Sequence, residues 1–283
     1  MKKKRAARIA LFGGIAVLGI KLLAFLLSNS VALLSDALES IVNIGASGLM
    51  LFSVYVSEKP ADESHDYGHQ KIEDISSMVE GIFIIAAALL IIYSAVGRLF
   101  EFSALFELNL AIIVSMLATG LNGGISWFLT RTSRETKSSA LEGDAKHLLS
   151  DVISSAGIWV GLFVVQLTGW NFMDSVMAFV VAGLVAKMGA GLVIKSSHLL
   201  MDKSCEEEEK KISEILDRHR SQFVEFHNLR TRRQGNQVFG DLHLTVDGSL
   251  SVKDAHDFTD HLERNLKEKI PYLDLTIHVE TRD

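Results

Sequence analysis

Six apolar segments, each close to 20 residues or longer, constrain this chain before any other feature does. They run roughly over Ile9–Leu27, Val31–Val56, Ile75–Leu99, Leu108–Thr130, His147–Thr168 and Phe172–Ile194. A helix of ~20 apolar residues crosses a bilayer, so each segment reads as one span. The remainder is different. Apolar residues crowd between positions 9 and 195, and charges crowd after position 202, so the chain divides into two parts suited to two solvents. The start is basic, with Lys2, Lys3, Lys4, Arg5 and Arg8, and the second part opens on an acidic run, Glu206 to Glu209. A signal peptide has a shorter apolar run closed by a small-residue cleavage site. Ile9–Leu27 has neither feature and reads as a retained span. The single Cys excludes an internal disulfide framework and a zinc–thiolate cluster, which leaves the 10 His as the metal-binding nitrogens of interest.

The connection near Glu101–Glu107 has no Lys or Arg. The opposite side carries the basic N-terminus, Lys59, Lys71, Arg131, Arg134 and Lys137. The positive-inside rule then places both termini in the cytoplasm, as an even number of spans requires. The domain boundary is expected near Met201, giving a transmembrane domain over residues 1–201 and a soluble domain over 202–283. In the second part, helical periodicity over Glu206–Arg220 is followed by strands at Glu225–Gln234 and Gln237–Asp247, joined at Gly235 and Asn236. An amphipathic helix at Asp254–Lys269 and a strand at Leu273–Thr281 complete the order. The fold class expected is a membrane all-α six-helix bundle followed by a small cytoplasmic α+β domain, α-β-β-α-β. A domain of ~80 residues has a thin core and often relies on metal or a partner chain.

Three groups of polar residues stand out. Ionisable side chains inside a span are costly and tend to face the bundle interior. The second span carries Asp36, Glu39 and Asn43, and the fifth begins with Asp144, His147 and Asp151. Glu39 and Asn43, like His147 and Asp151, are spaced i, i+4 and share a helix face. Two helices each presenting two ligands make a four-ligand site whose imidazole and carboxylates suit zinc, iron, cobalt or manganese. Asp36 and Asp174 read as caps or inter-helix hydrogen bonds, Asp144 divides between a cap and a site role, and Glu80 stays open between a bundle hydrogen bond and an access path. The second group is Asp62, His65 and His69, after the second span, where i, i+3, i+7 spacing lets helical turns gather three ligands. The third lies in the soluble domain. Alternation of Leu242, Leu244 and Val246 with Asp241, His243 and Thr245 puts His243 on the polar sheet face. His278 and Glu280 alternate in the same way on the last strand. His227 begins the first strand, and His256 lies on the helix.

These groups resemble the cation diffusion facilitator family, closest to its bacterial zinc and iron exporters. The resemblance rests on A-D-x-x-H-x-Y-G-H at Ala61–His69, G-H-x-K-x-E at Gly68–Glu73, A-x-x-x-D-A-x-H-x-x-S-D at Ala140–Asp151, H-x-L-R-T-R at His227–Arg232 and I-H-x-E at Ile277–Glu280. It implies a homodimer that exchanges a cytoplasmic divalent metal for protons. It also implies a transport site at Glu39, Asn43, His147 and Asp151, and a loop site at Asp62, His65 and His69. A cytoplasmic binuclear site would fall on His227, His243, His256, His278 and Glu280, and a charge interlock on Lys71 and Asp202. The close relatives carry two Asp on the second helix, where this chain has Glu39 and Asn43.

The function expected is divalent metal efflux by proton antiport across the cytoplasmic (inner) membrane, with zinc as leading cargo and iron(II) or manganese as alternatives. Metal is expected as transported substrate and regulatory ligand, with no prosthetic group, no enzyme activity and no nucleic-acid partner. A membrane-anchored metal sensor or store is the alternative from another class. It needs the soluble histidines but not His147 and Asp151 in the bilayer. A metallo-hydrolase is disfavoured by the lack of an H-E-x-x-H-like base.

Overall fold

A computed structural model describes residues 2–28, 31–100, 109–168 and 172–281. It divides into two compact units, Met1–Ser197 and His198–Asp283. The first is a bundle of six helices: α1 (Lys2–Ser28), α2 (Val31–Ser57), α3 (Ile72–Phe100), α4 (Asn109–Thr136), α5 (Ser139–Thr168) and α6 (Phe172–Leu200). Among the described residues, four stretches are long and apolar enough to cross a membrane: Lys2–Leu23, Ser40–Ser57, Ile72–Gly97 and Ser175–Leu200. The connections over 101–108 and 169–171 lie outside the described residues.

Several helices outlast their apolar segments. α4 continues through Arg131, Arg134 and Glu135, and α5 starts at Ser139 rather than near His147. Polar residues continue a helix into water at no cost to its backbone bonds, so apolarity marks the span but not the helix end. These extensions are tied together at one end of the bundle. Lys3 pairs with Glu73 at 2.9 Å, Lys4 with Glu58 at 2.8 Å, and Lys2 with Glu135 at 3.2 Å. Beneath them, small residues of α1 (Ala6, Ala7, Ala10) pack with Met50 and Val54 of α2, Leu129 of α4 and Leu141 and Ala145 of α5. Large apolar side chains such as Phe12, Leu90, Tyr93, Leu117 and Trp127 face outward, as a lipid-facing surface requires. α3 and α5 approach closely at Gly143. A Cβ there would lie 3.0 Å from Ser77 Cα and 3.1 Å from Glu80 Cγ. Glycine is thus what lets Glu80 sit against α5.

The second unit is an antiparallel–parallel sheet of order β1-β2-β3, with β1 (Glu225–Gln234), β2 (Gln237–Val246) and β3 (Leu273–Thr281). The β1–β2 turn uses Gly235 at φ +54°, a left-handed conformation glycine adopts freely. Parallel pairing of β2 with β3 needs a crossover, supplied by α8 (Val252–Lys269). Ser251 caps α8 by accepting from Asp254 N–H at 3.1 Å. Ile212, Ile215 and Leu216 of α7 (Glu206–Arg218), with Leu262 and Leu266 of α8, bury Leu242, Leu244, Val246 and Leu275. This leaves the opposite sheet face for polar side chains.

Candidate metal sites

The intramembrane group forms where α2 packs on α5. Asn43 projects from α2, and His147 and Asp151 stack one turn apart on α5. The Asn43 amide is shared between them: Nδ2 donates to Asp151 Oδ2 at 2.7 Å, and Oδ1 lies 3.0 Å from His147 Nε2. Because a carboxylate only accepts, the amide must turn its nitrogen to Asp151 and its oxygen to the imidazole, which therefore donates from Nε2. His147 is only 5% exposed. Glu39 lies on α2, but its side chain is outside the described residues, as are those of Asp36 and Asp174. Asp144, one turn before His147, is fully buried and accepts from the Ser47 hydroxyl at 3.0 Å and 3.2 Å. Its partner on α2 gives it a structural tie between the same two helices.

Sequence reasoning left Glu80 open. It is 0% exposed, and its Oε2 lies 3.7 Å from His147 Nδ1. The signal in the sequence is a buried polar stripe on α3, Glu73, Ser77 and Glu80, at i, i+4, i+7 spacing. Glu73, at its head, is held by Lys3, Ser57 and Ser138.

The group in the α2–α3 connection gathers Asp62, His65 and His69, whose ligand atoms all lie within 4.8 Å of one another. It does so without the helical turns expected from its spacing. The segment is a series of turns with an isolated bridge between Asp62 and His65. Asp62 Oδ1 accepts from the backbone N–H groups of Ser64 (3.0 Å) and His65 (2.9 Å) and from Ser64 Oγ (2.8 Å). Such local bonds compete with helix formation, and Gly68 at φ +82° breaks it outright. His65 Nδ1 and His69 Nε2 approach the Asp62 carboxylate at 3.3 Å and 3.4 Å. The Ser64 hydroxyl, opposed by desolvation and aided by the backbone bonds, holds Asp62 down at about 2. It is a carboxylate at any cellular pH.

In the soluble unit, His227, His243 and Glu280 have ligand atoms within 4.8 Å. The sheet register explains this. His227 opposes His243, and His243 opposes His278, so the three imidazoles form one rung across β1, β2 and β3. Glu280 lies two residues along β3 on the same face. A register irregularity follows His227, with Asn228 at φ +52°, and His227 Nε2 meets Glu280 Oε1 at 3.1 Å. His243 Nδ1 lies 3.2 Å from Glu280 Oε2. Donor atoms around one tetrahedral zinc are about 3.3 Å apart, a spacing close to that of these two contacts, so the three side chains are candidates to hold an ion. Burial acts to raise the Glu280 carboxyl, but hydrogen bonds from His243 and Thr245 and the nearby imidazoles outweigh it and hold it below the usual carboxylate value. The His278 ring lies with its centroid 4.8 Å from that of His243 and tilted 58° to it, next to the group. His256 is exposed on α8, where Nε2 lies 3.7 Å from Asp260, and is not brought into it.

Comparison with known proteins covers both units. A family model of the cation efflux transmembrane domain matches residues 7–201, and one of the cation efflux protein cytoplasmic domain matches residues 205–282. An uncharacterized transporter of Synechocystis sp. is 36% identical over 275 residues, 97% of this chain and 89% of its own. The cation-efflux pump FieF of Shewanella oneidensis is 28% identical over 275 residues, 97% of this chain and 93% of its own. The metal-bound C-terminal domain of the CzcD transporter from Thermotoga maritima is 33% identical over 26% of this chain and 87% of its own, with a TM-score of 0.26.

Proposed function

Because the chain belongs to the cation efflux family, whose members are multi-pass membrane transporters, we propose that it exports a divalent transition metal from the cytoplasm in exchange for protons. Zinc is the leading cargo, with iron(II) and manganese behind it. Residues 1–201 form the transport domain and 202–283 a cytoplasmic regulatory domain, the working unit is a homodimer, and the membrane is the inner one. The observation that carries this reading is the meeting of Asn43, His147 and Asp151 across two packed helices of an apolar bundle. With Glu39 they supply two carboxylates, an amide oxygen and an imidazole, a donor set suited to a hard or borderline dication.

The chemistry follows from those side chains. Arriving metal takes the positions now joined by hydrogen bonds, so the proton on His147 Nε2 must leave as the ion binds. Rocking of the helices turns the loaded site outward, where protons compete the metal off the same nitrogen and carboxylates. In the soluble domain His227, His243 and Glu280, with His278 beside them, hold a regulatory ion. Binding there stabilises the folded domain and favours the dimer by mass action. Asp62, His65 and His69 form a third, loop-borne site at the cytoplasmic face.

The test is transport by purified protein in liposomes under a set pH gradient. Asp151→Ala removes a carboxylate ligand and is expected to abolish zinc uptake while the protein still reconstitutes as a dimer. Uptake at the parental rate by this variant would falsify the assigned site.

A further inference from the structure

Among the described residues, the carboxylates of Asp144 and Asp151 beside the proposed transport site accept hydrogen bonds and that of Glu80 does not. Asp144 is held by Ser47, and Asp151 by Asn43. Both carboxylate oxygens of Glu80 are buried with no hydrogen-bond partner, and Oε2 is 3.7 Å from His147 Nδ1, within ion-pair reach. A buried carboxylate with no partner is costly, so its position calls for a partner that arrives only in another state. Gly143 supports that position, since a Cβ there would press to 3.1 Å from Glu80 Cγ.

The geometry of the imidazole supplies the partner. His147 turns Nε2 to Asn43 and Asp151 and Nδ1 to Glu80. When metal takes Nε2, the Nε2–H bond breaks and an Nδ1–H bond forms, so the ring stays neutral with its one proton facing Glu80. Metal-bound histidines commonly give that second N–H to a carboxylate, which fixes the ring and raises its basicity. Charge points the same way. Glu39 and Asp151 only just balance a dication, because Asn43 is neutral. From these observations, and resting on the transport site proposed above, we infer that Glu80 of α3 is the fifth member of that site. It takes the Nδ1–H of His147 in the metal-loaded state, and it supplies the negative charge that an amide at position 43 leaves out. Glu80 is a positioning residue that acts through His147, and it makes α3 part of the metal-binding machinery along with α2 and α5.

The experiment measures zinc KM and turnover in proteoliposomes for the parental protein, Glu80→Gln, Asn43→Asp/Glu80→Gln and Asp151→Ala. Glu80→Gln keeps the volume and removes the charge. Its KM is expected to rise about 10–100-fold, the usual cost of losing a partner of a metal-bound histidine. Asn43→Asp added to it is expected to bring KM back toward the parental value, because it returns a carboxylate beside His147 and Asp151. A purely structural loss would lower the amount of active protein without this rescue. A Glu80→Gln KM within twofold of the parent, or a double variant no better than Glu80→Gln, overturns the assignment of Glu80. Loss of transport in Asp151→Ala alongside either result confines the failure to Glu80, whereas normal transport by Asp151→Ala removes the transport site and this inference together.

Discussion

In the transport site proposed above, an amide at position 43 would change both the strength and the proton chemistry of metal binding. Its oxygen is a hard, neutral ligand that holds a dication less strongly than a carboxylate does. In the metal-free state it does something a carboxylate cannot: its nitrogen donates to Asp151 while its oxygen accepts from His147, so one side chain satisfies two neighbours of opposite need. An aspartate here would face Asp151 with like charge. Asn43→Asp is therefore expected to raise zinc affinity and slow release, seen as a lower KM with a lower turnover, and to shift a zinc–manganese competition in liposomes toward zinc. If Asn43→Asp and Asn43→Ala both keep the parental zinc-to-manganese ratio, Asn43 is not a ligand. At the same scale, the Asp62 carboxylate shows how a candidate ligand is held by its neighbours. Two backbone N–H groups and the Ser64 hydroxyl fix it in place, so His65 and His69 find an acceptor already oriented.

The elements divide by what their physics writes into the sequence. Membrane helices were legible because ~20 apolar residues in a row have few other uses. Their polar extensions were not, since Arg131–Thr136 and Ser139–Lys146 continue a helix in water without any apolar stripe to mark it. The soluble domain was legible strand by strand, because alternation in β2 and the Gly235 turn are local signals. The rung of His227, His243 and His278 could be foreseen only in part. Face was readable from alternation, but register depends on the parallel crossover and on the irregularity after His227. The α2–α3 connection misled for a related reason: its spacing fits a helix, and its backbone bonds and Gly68 forbid one. Sheet geometry also yields a test on the segment from about residue 203 onward, which has its own apolar core. A metal that binds only the folded form adds stability that grows with its concentration. His243→Ala with His278→Ala is expected to erase most of the zinc-induced rise in melting temperature, and an unchanged rise would remove both as ligands. Without metal, the lowered Glu280 carboxyl contributes stability at pH above the ordinary value of about 4.3 and loses it as pH falls through the folded value. Glu280→Gln should accordingly flatten the acid limb of the segment's stability curve.

Across the membrane unit, charge and packing agree on which helix ends lie together. The start of α1 is tied by ion pairs to Glu58 after α2, to Glu73 at the start of α3 and to Glu135 near the end of α4. Lys195 near the end of α6 reaches Glu142 at the start of α5 at 2.5 Å. All six helices thus present one set of ends to one side, and that side holds Lys59, Lys71, Arg131, Arg134 and Lys137 along with the basic N-terminus. The connection over 101–107 has no cation to oppose it. On the positive-inside rule we propose that the unit is oriented with the Asp62–His65–His69 group in the cytoplasm. The proposed efflux calls for this orientation, because it puts the candidate ligands of the loop in the compartment from which metal would be taken. The orientation can be read with single cysteines. The native thiol, Cys205, is buried and is replaced by Ser to clear the background. On that background Glu63→Cys, at an exposed position, is expected to react with a membrane-impermeant maleimide in inside-out vesicles and not in intact cells. Ser103→Cys is expected to behave in the opposite way. Labelling of Glu63→Cys from outside intact cells would invert the unit, and with it the direction of transport derived from the position of its ligands.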